Sequence, residues 1–264
     1  MIKRKVTDVY VMAHSRVEFI MSRLTYIHSA KKILSILFLF LFSHGIFASV
    51  ENIALNSSHS PFSVEKTLMA TFQQAINDDL AGHHREARQK YDALNGGMLV
   101  GMIVLPSAVN LAALERYDEA RRAFTVLRQN GNGRERDYGL LWDLWLTART
   151  WQGGSTALQK ALTDKAANYK WFSAYELAIA DIYTGKGNEK TVFQLIDSIV
   201  FSHAEEKADA VTQAVFFVGG YYQYVINQPQ KAKKLYRDYA SHLNKSSLER
   251  NLVLKEQESL RISQ

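Results

Sequence analysis

Apolar positions recur along the chain at helical spacing, and they recur in a longer rhythm as well. In Glu115–Phe124, read ERYDEARRAF, an aromatic is followed three places on by alanine and four places later by another aromatic. Tyr117, Ala120, Phe124 and Leu127 therefore share one helical face. Just before them Val104, Ala108, Leu111 and Ala112 share a face of another helix, and Pro106 is expected in its first turn, where a missing N–H costs nothing. The pattern predicts a helical hairpin with a short turn at 115–117, its alanines placed where two helices come close. Arg121 falls on the opposite side and is expected to be exposed.

The same hairpin returns. His84, Ala87, Tyr91 and Leu94 follow Gly82 with the same spacing, and Pro229, Ala232, Tyr236 and Tyr239 repeat it. Val192, Ile196 and Ile199 follow a turn at Gly185–Asn188, and Ala157 follows Gly153 and Gly154. The five small or packing residues 87, 120, 157, 192 and 232 are spaced by 33, 37, 35 and 40. A period near 34 with two helices per unit resembles the tetratricopeptide repeat, or the related Sel1-like arrays. The stretches HHREARQKY and ERYDEARRAF carry the resemblance best, with QKAKKLYRDY third. The proline that commonly closes such a unit is absent. The resemblance implies an all-α, right-handed superhelical solenoid of about five hairpins over residues 65–243. Residues 244–264 are expected to form a capping helix, with Ser246 or Ser247 as N-cap and Glu249 in its first turn.

Upstream the pattern changes. Lys31 and Lys32 precede an apolar run, Ile33–Phe42, and Ala48 follows as a small residue. This reads as a signal peptide over residues 1–48, with Met21 as a start that gives conventional length. Residues 49–64 read as a flexible linker. The expected location is periplasmic, by export, with anchoring through an uncleaved leader as the alternative.

Charge follows this division. The chain carries a formal +6, but residues 1–48 hold seven Lys/Arg and two Asp/Glu, which leaves the remainder near neutral. That distribution argues against nucleic acid as a partner. The absence of cysteine excludes disulfides and thiolate metal sites. His83 and His84 are adjacent and so diverge, and no metal-ligand set accompanies them. Gly131–Gly139 lacks the lysine and hydroxyl of a phosphate loop and reads as a turn between units. No catalytic motif, metal or cofactor is expected.

What stands out is aromatic placement. Trp142, Trp145, Trp151 and Trp171 lie within thirty residues. The resemblance implies that the first helix of each unit lines an inner groove. In that register Phe72, Leu105, Trp142, Leu177 and Phe217 occupy equivalent positions, with Arg149, Asp181, Tyr221 and Tyr224 about a turn further along. These nine form the expected groove for a protein or peptide partner. The expected function is a non-enzymatic, chaperone-like scaffold in assembly of an envelope or surface structure. The alternatives are a structural subunit of an envelope complex anchored by its leader, and an unrecognised enzyme acting on cell-wall glycan.

Overall fold

The computed structural model describes residues 61–262 apart from residue 98. The expected leader and all but the last four residues of the expected linker lie outside the described residues. Contacts group Met1–Ala70 separately from Thr71–Gln264; apart from the start of the first helix, the following concerns the second group.

The described residues are all-α, with no strand among them. Ten helices form five hairpins: α1 (Pro61–Leu80) with α2 (His84–Leu94), α3 (Val100–Ala113) with α4 (Tyr117–Asn130), α5 (Gly133–Arg149) with α6 (Ser155–Ala166), α7 (Ala174–Tyr183) with α8 (Glu189–Ser198), and α9 (Ala204–Gly220) with α10 (Pro229–Tyr239). A single π turn, Tyr221–Val225, continues α9, and α11 (Leu248–Ile262) follows the last hairpin. Helix begins at Pro61, inside the stretch expected to be linker.

Three hairpin turns share one geometry. Gly82, Glu115 and Asn227 each stand two residues before a second helix and each adopt positive φ, of 84°, 61° and 51°. After the first two, the next N–H returns to a carbonyl five residues back, His83 to Asp78 and Arg116 to Leu111. Gly185, at φ 77°, does the same through Lys186 and Asp181. This left-handed closure satisfies carbonyls that a helix end leaves without partners. Glycine enters the region freely and asparagine, as at 227, tolerates it, while Glu115 adopts it against the preference of its side chain.

The second helices bury the residues the period selected. Ala87, Ala120, Val192 and Ala232 are fully buried, as are Tyr91, Phe124, Ile196 and Tyr236. The third unit corrects the reading: Ala157 is exposed, and its neighbour Leu158 is buried with Leu162. Helix α6 is therefore rotated by one residue from the expected register. Pro106 also differs. Helix α3 starts at Val100, so the proline sits inside it, buried.

The 131–139 segment is mostly helix rather than turn. Asn132 caps α5, accepting from the Glu135 N–H, while Glu135 Oε2 accepts from the Asn132 N–H. That reciprocal pair starts the helix two residues after Gly131. Gly139 then serves packing, because a Cβ there would lie 3.0 Å from the Phe124 carbonyl oxygen on α4.

The core centres on α5, buried from Asp137 to Ala148 without interruption. A helix buried on every side is an interior helix, and this one takes Asp137, Asp143 and Thr147 inside with its apolar residues. It packs against α4, α6 and α7, and also against α9, a first helix two units away. Gly219 and Gly220 permit this crowding: a Cβ on Gly220 would lie 2.4 Å from Trp145 Nε1, and one on Gly219 2.2 Å from the Tyr236 ring.

Candidate partner-binding face

The nine residues expected on one groove do not form one. Phe72, Trp142 and Phe217 are core residues, 5%, 0% and 0% exposed. Leu105 is half-buried against the core. Leu177 is exposed, and Asp181 is half-buried with its backbone carbonyl closing the turn after α7. Tyr221 and Tyr224 are half-buried in the π turn, and Arg149 is half-buried at the end of α5.

The reason is the convergence of first helices. Trp142 stacks on Phe124 of its neighbour helix, with centroids 4.7 Å apart and planes within 8°. On its other sides lie Phe216 at 5.0 Å and Phe217 at 5.6 Å, both from α9. A groove would need α5 and α9 apart, and instead their aromatics fill the space between them. Trp145 joins this cluster, while Trp151 and Trp171 are half-buried at its margin.

Two polar assemblies flank the core. At the C-terminal end of α5, the Arg149 guanidinium lies 5.5 Å from the Tyr117 ring and 4.9 Å from the Tyr224 ring. Cation–π attraction holds a charge there in a partly desolvated place. Tyr224 donates its hydroxyl to Glu256 of α11 at 2.5 Å.

At the opposite end is a group of acids, of which Asp137, Glu176 and Glu249 are buried and Asp209 half-buried. Asp137 accepts from the Tyr169 hydroxyl and from the N–H groups of Phe172 and Ser173, at 2.8–2.9 Å. Burial, reinforced by the nearby Asp137 charge, pushes Glu176 up to about 8. Its Oε2 has no hydrogen-bond partner. Burial and then the charge of Glu249 push Asp209 up to about 7, while Ser247 and Asn244 hold it down. Glu249 itself accepts from the Tyr138 hydroxyl and, at 2.7 Å, from Ser247 Oγ. Ser247 thus donates its hydroxyl to Glu249 in the first turn of α11.

His84, which the spacing sets on the packing face of its helix, makes a polar contact as well. His84 is half-buried, and its Nδ1 lies 2.9 Å from Asp79 Oδ1. Asp79 also accepts from Asn110 Nδ2 at 2.7 Å, tying α1 to α3. A shallow depression of about 540 Å³ lies on the outer side between α8 and α10, with Glu189, Phe193, Tyr222 and Tyr239 in its lining.

The sequence did not single out what α11 does. It packs on α9 and α10, as a cap of the last hairpin would, and also on α3. Asn251 Nδ2 donates to the carbonyls of Asp79 and Leu80 at the end of α1, at 2.7 and 3.0 Å. Lys255 Nζ donates to the Ala113 carbonyl at the end of α3, at 3.0 Å, and pairs with Glu115 at 2.7 Å. Glu249 and Glu256 reach α5 and the π turn. A single helix thus touches or bonds four of the five first helices, α1, α3, α5 and α9. Only its amphipathic pattern was visible in the sequence, and nothing local marks Asn251, Lys255 or Glu256 as long-range contacts.

Compared with known proteins, the chain matches no family model and no curated protein.

Proposed function

We propose that this chain is a non-catalytic scaffold of the tetratricopeptide type, a tightly curled solenoid of five hairpins whose first helices receive a helix of a partner protein. The observation that carries this reading is the seating of α11. One amphipathic helix is held by hydrogen bonds and apolar contacts from four first helices at once. A surface able to do that for a helix of its own chain has the spacing and chemistry to do it for another. The five hairpins, three of them with one turn geometry, support the repeat reading, and the apolar run behind Lys31 and Lys32 supports export to an envelope compartment. There the scaffold serves assembly of an envelope or surface structure.

A photo-crosslinking side chain at position 115 or 224, both of which meet α11, tests the binding face, with position 190 on α8 as a distant control. The expected adduct from envelope extract joins position 115 or 224 to a helical segment of one polypeptide. An adduct from position 190 alone would contradict the reading. Export is tested separately: intact mass of the exported chain is expected to match a start at Ser49. A start at Met1 or Met21 on membrane-bound protein would instead favour the anchored subunit.

A further inference from the structure

We infer that α11 is a releasable occupant of the first-helix face, and that the partner is an amphipathic helix carrying the pattern of α11, which takes its place. This rests on reading that face as helix-binding, and adds that the chain guards the face with its own segment.

The attachment of α11 differs in kind from that of the helices around it. Helix α9 buries its residues without a break from Thr212 to Gly220, interlocked with α5 and α10. Helix α11 buries Leu252 and Val253 as its apolar anchors, with Leu248 and Leu260 packed at the margin. The rest of its grip is polar. Asn251 and Lys255 bond the carbonyls at the ends of α1 and α3. Every α-helix ends with such carbonyls, and water satisfies them when no side chain does. Tyr224, half-buried, donates its hydroxyl to Glu256 and can turn to solvent likewise, while Tyr138 and Glu249 form a buried polar contact. A few apolar anchors surrounded by replaceable polar bonds is the anatomy of a non-obligate interface.

Geometry also permits departure. Helix α11 follows α10 through segment 240–247, where Leu243 is buried and the Asn244 N–H donates to Thr212 Oγ1 at 2.7 Å, so that segment stays anchored on α9 while α11 swings from it. The bonds define what fits in its place. A replacing helix of about four turns needs a carboxylate near its start, an amide two residues on, and two adjacent branched apolar residues. A lysine and a carboxylate follow, in the order Glu249, Asn251, Leu252, Val253, Lys255, Glu256. The lysine faces Glu115, and the last carboxylate faces Tyr224 beside Arg149.

Hydrogen exchange on the full chain tests release. Amides of 248–262 are expected to exchange at least tenfold faster than those of 212–220. Equal rates would show that α11 opens only with global unfolding, and would overturn the guard. A labelled synthetic peptide of residues 246–262 then tests replacement. The Asn251→Ala/Lys255→Ala double variant is expected to remain folded and bind the peptide at least tenfold more tightly than wild type does. A Leu252→Asp peptide is expected not to bind. A variant that unfolds outright would show that α11 is integral to the core. A folded variant with exchanging α11 that ignores the peptide would overturn the helix-binding reading itself. Dimers of the variant exchanging their own α11 segments would assign the seat to a second copy, and overturn the partner helix.

Discussion

Trp142 shows how far a residue's role depends on neighbours that sequence does not reveal. Its position on a first helix is legible in the spacing, but its burial is set by Phe216 and Phe217 on a helix more than sixty residues away. Trp142→Ala is expected to cost about 3–5 kcal/mol of stability, as large aromatic truncations in cores do. Thermal or denaturant melts check this, and a normal melt would place the side chain outside the core. Glu176 is a second such residue. Its folded value of about 8 lies above the ordinary carboxylate range, so over the interval between them the unfolded chain is ionised while the folded chain holds the proton. The stability is therefore full below about pH 4 and falls as pH rises toward 8. Asp209, pushed up to about 7, contributes in the same direction over a shorter interval. Melting temperature is expected to fall between pH 5 and pH 8, and Glu176→Gln is expected to flatten that fall. A wild-type profile that rises over the interval would contradict the placement of these acids.

At the scale of the element, the hairpins were readable because their packing is local. A second helix needs a small or slender residue where its partner approaches, and the 3, 4, 3 spacing records that need directly. Ala120 is fully buried between Tyr117 and Phe124. Ala120→Leu is expected to destabilise by about 1–3 kcal/mol through overpacking, measured against Arg122→Leu on the exposed face, expected within about 0.5 kcal/mol of wild type. Equal melts for the two would show a wrong register for α4. Arg121, expected to be exposed, is a poor control, since it donates to the Leu146 carbonyl and to Thr150 across the interface with α5. Reading failed where local spacing was weak. Helix α6 offers Ala157 and Leu158 side by side, and only the burial of Leu162 four residues on selects the second. The extent of α5 was hidden by glycines that read as turn, although Gly139 is there for close approach of α4.

At the largest scale, the spacing accounts for packing within hairpins but not for contacts between helices far apart in the chain. An open groove and a filled one share the same repeat pattern, because the period reports contacts between neighbouring units alone. Contact between α5 and α9, and the return of α11 to α1 and α3, are set by side chains at distant positions with no common spacing. The nine residues expected to receive a partner were therefore divided between core, turn and surface. The proposed receiving face is the seat that α11 occupies, and on that proposal the seat takes a helix from outside only when α11 is free to leave. Glu115 and Lys255 are both about half exposed and in contact, and the chain has no native cysteine. Glu115→Cys/Lys255→Cys can therefore be joined by a short cleavable thiol crosslinker that fixes α11 in place. Binding of the labelled 246–262 peptide, measured before joining, after joining and after cleavage, is expected to fall at least tenfold on joining and to recover on cleavage. Binding that is unchanged by the crosslink would contradict the account.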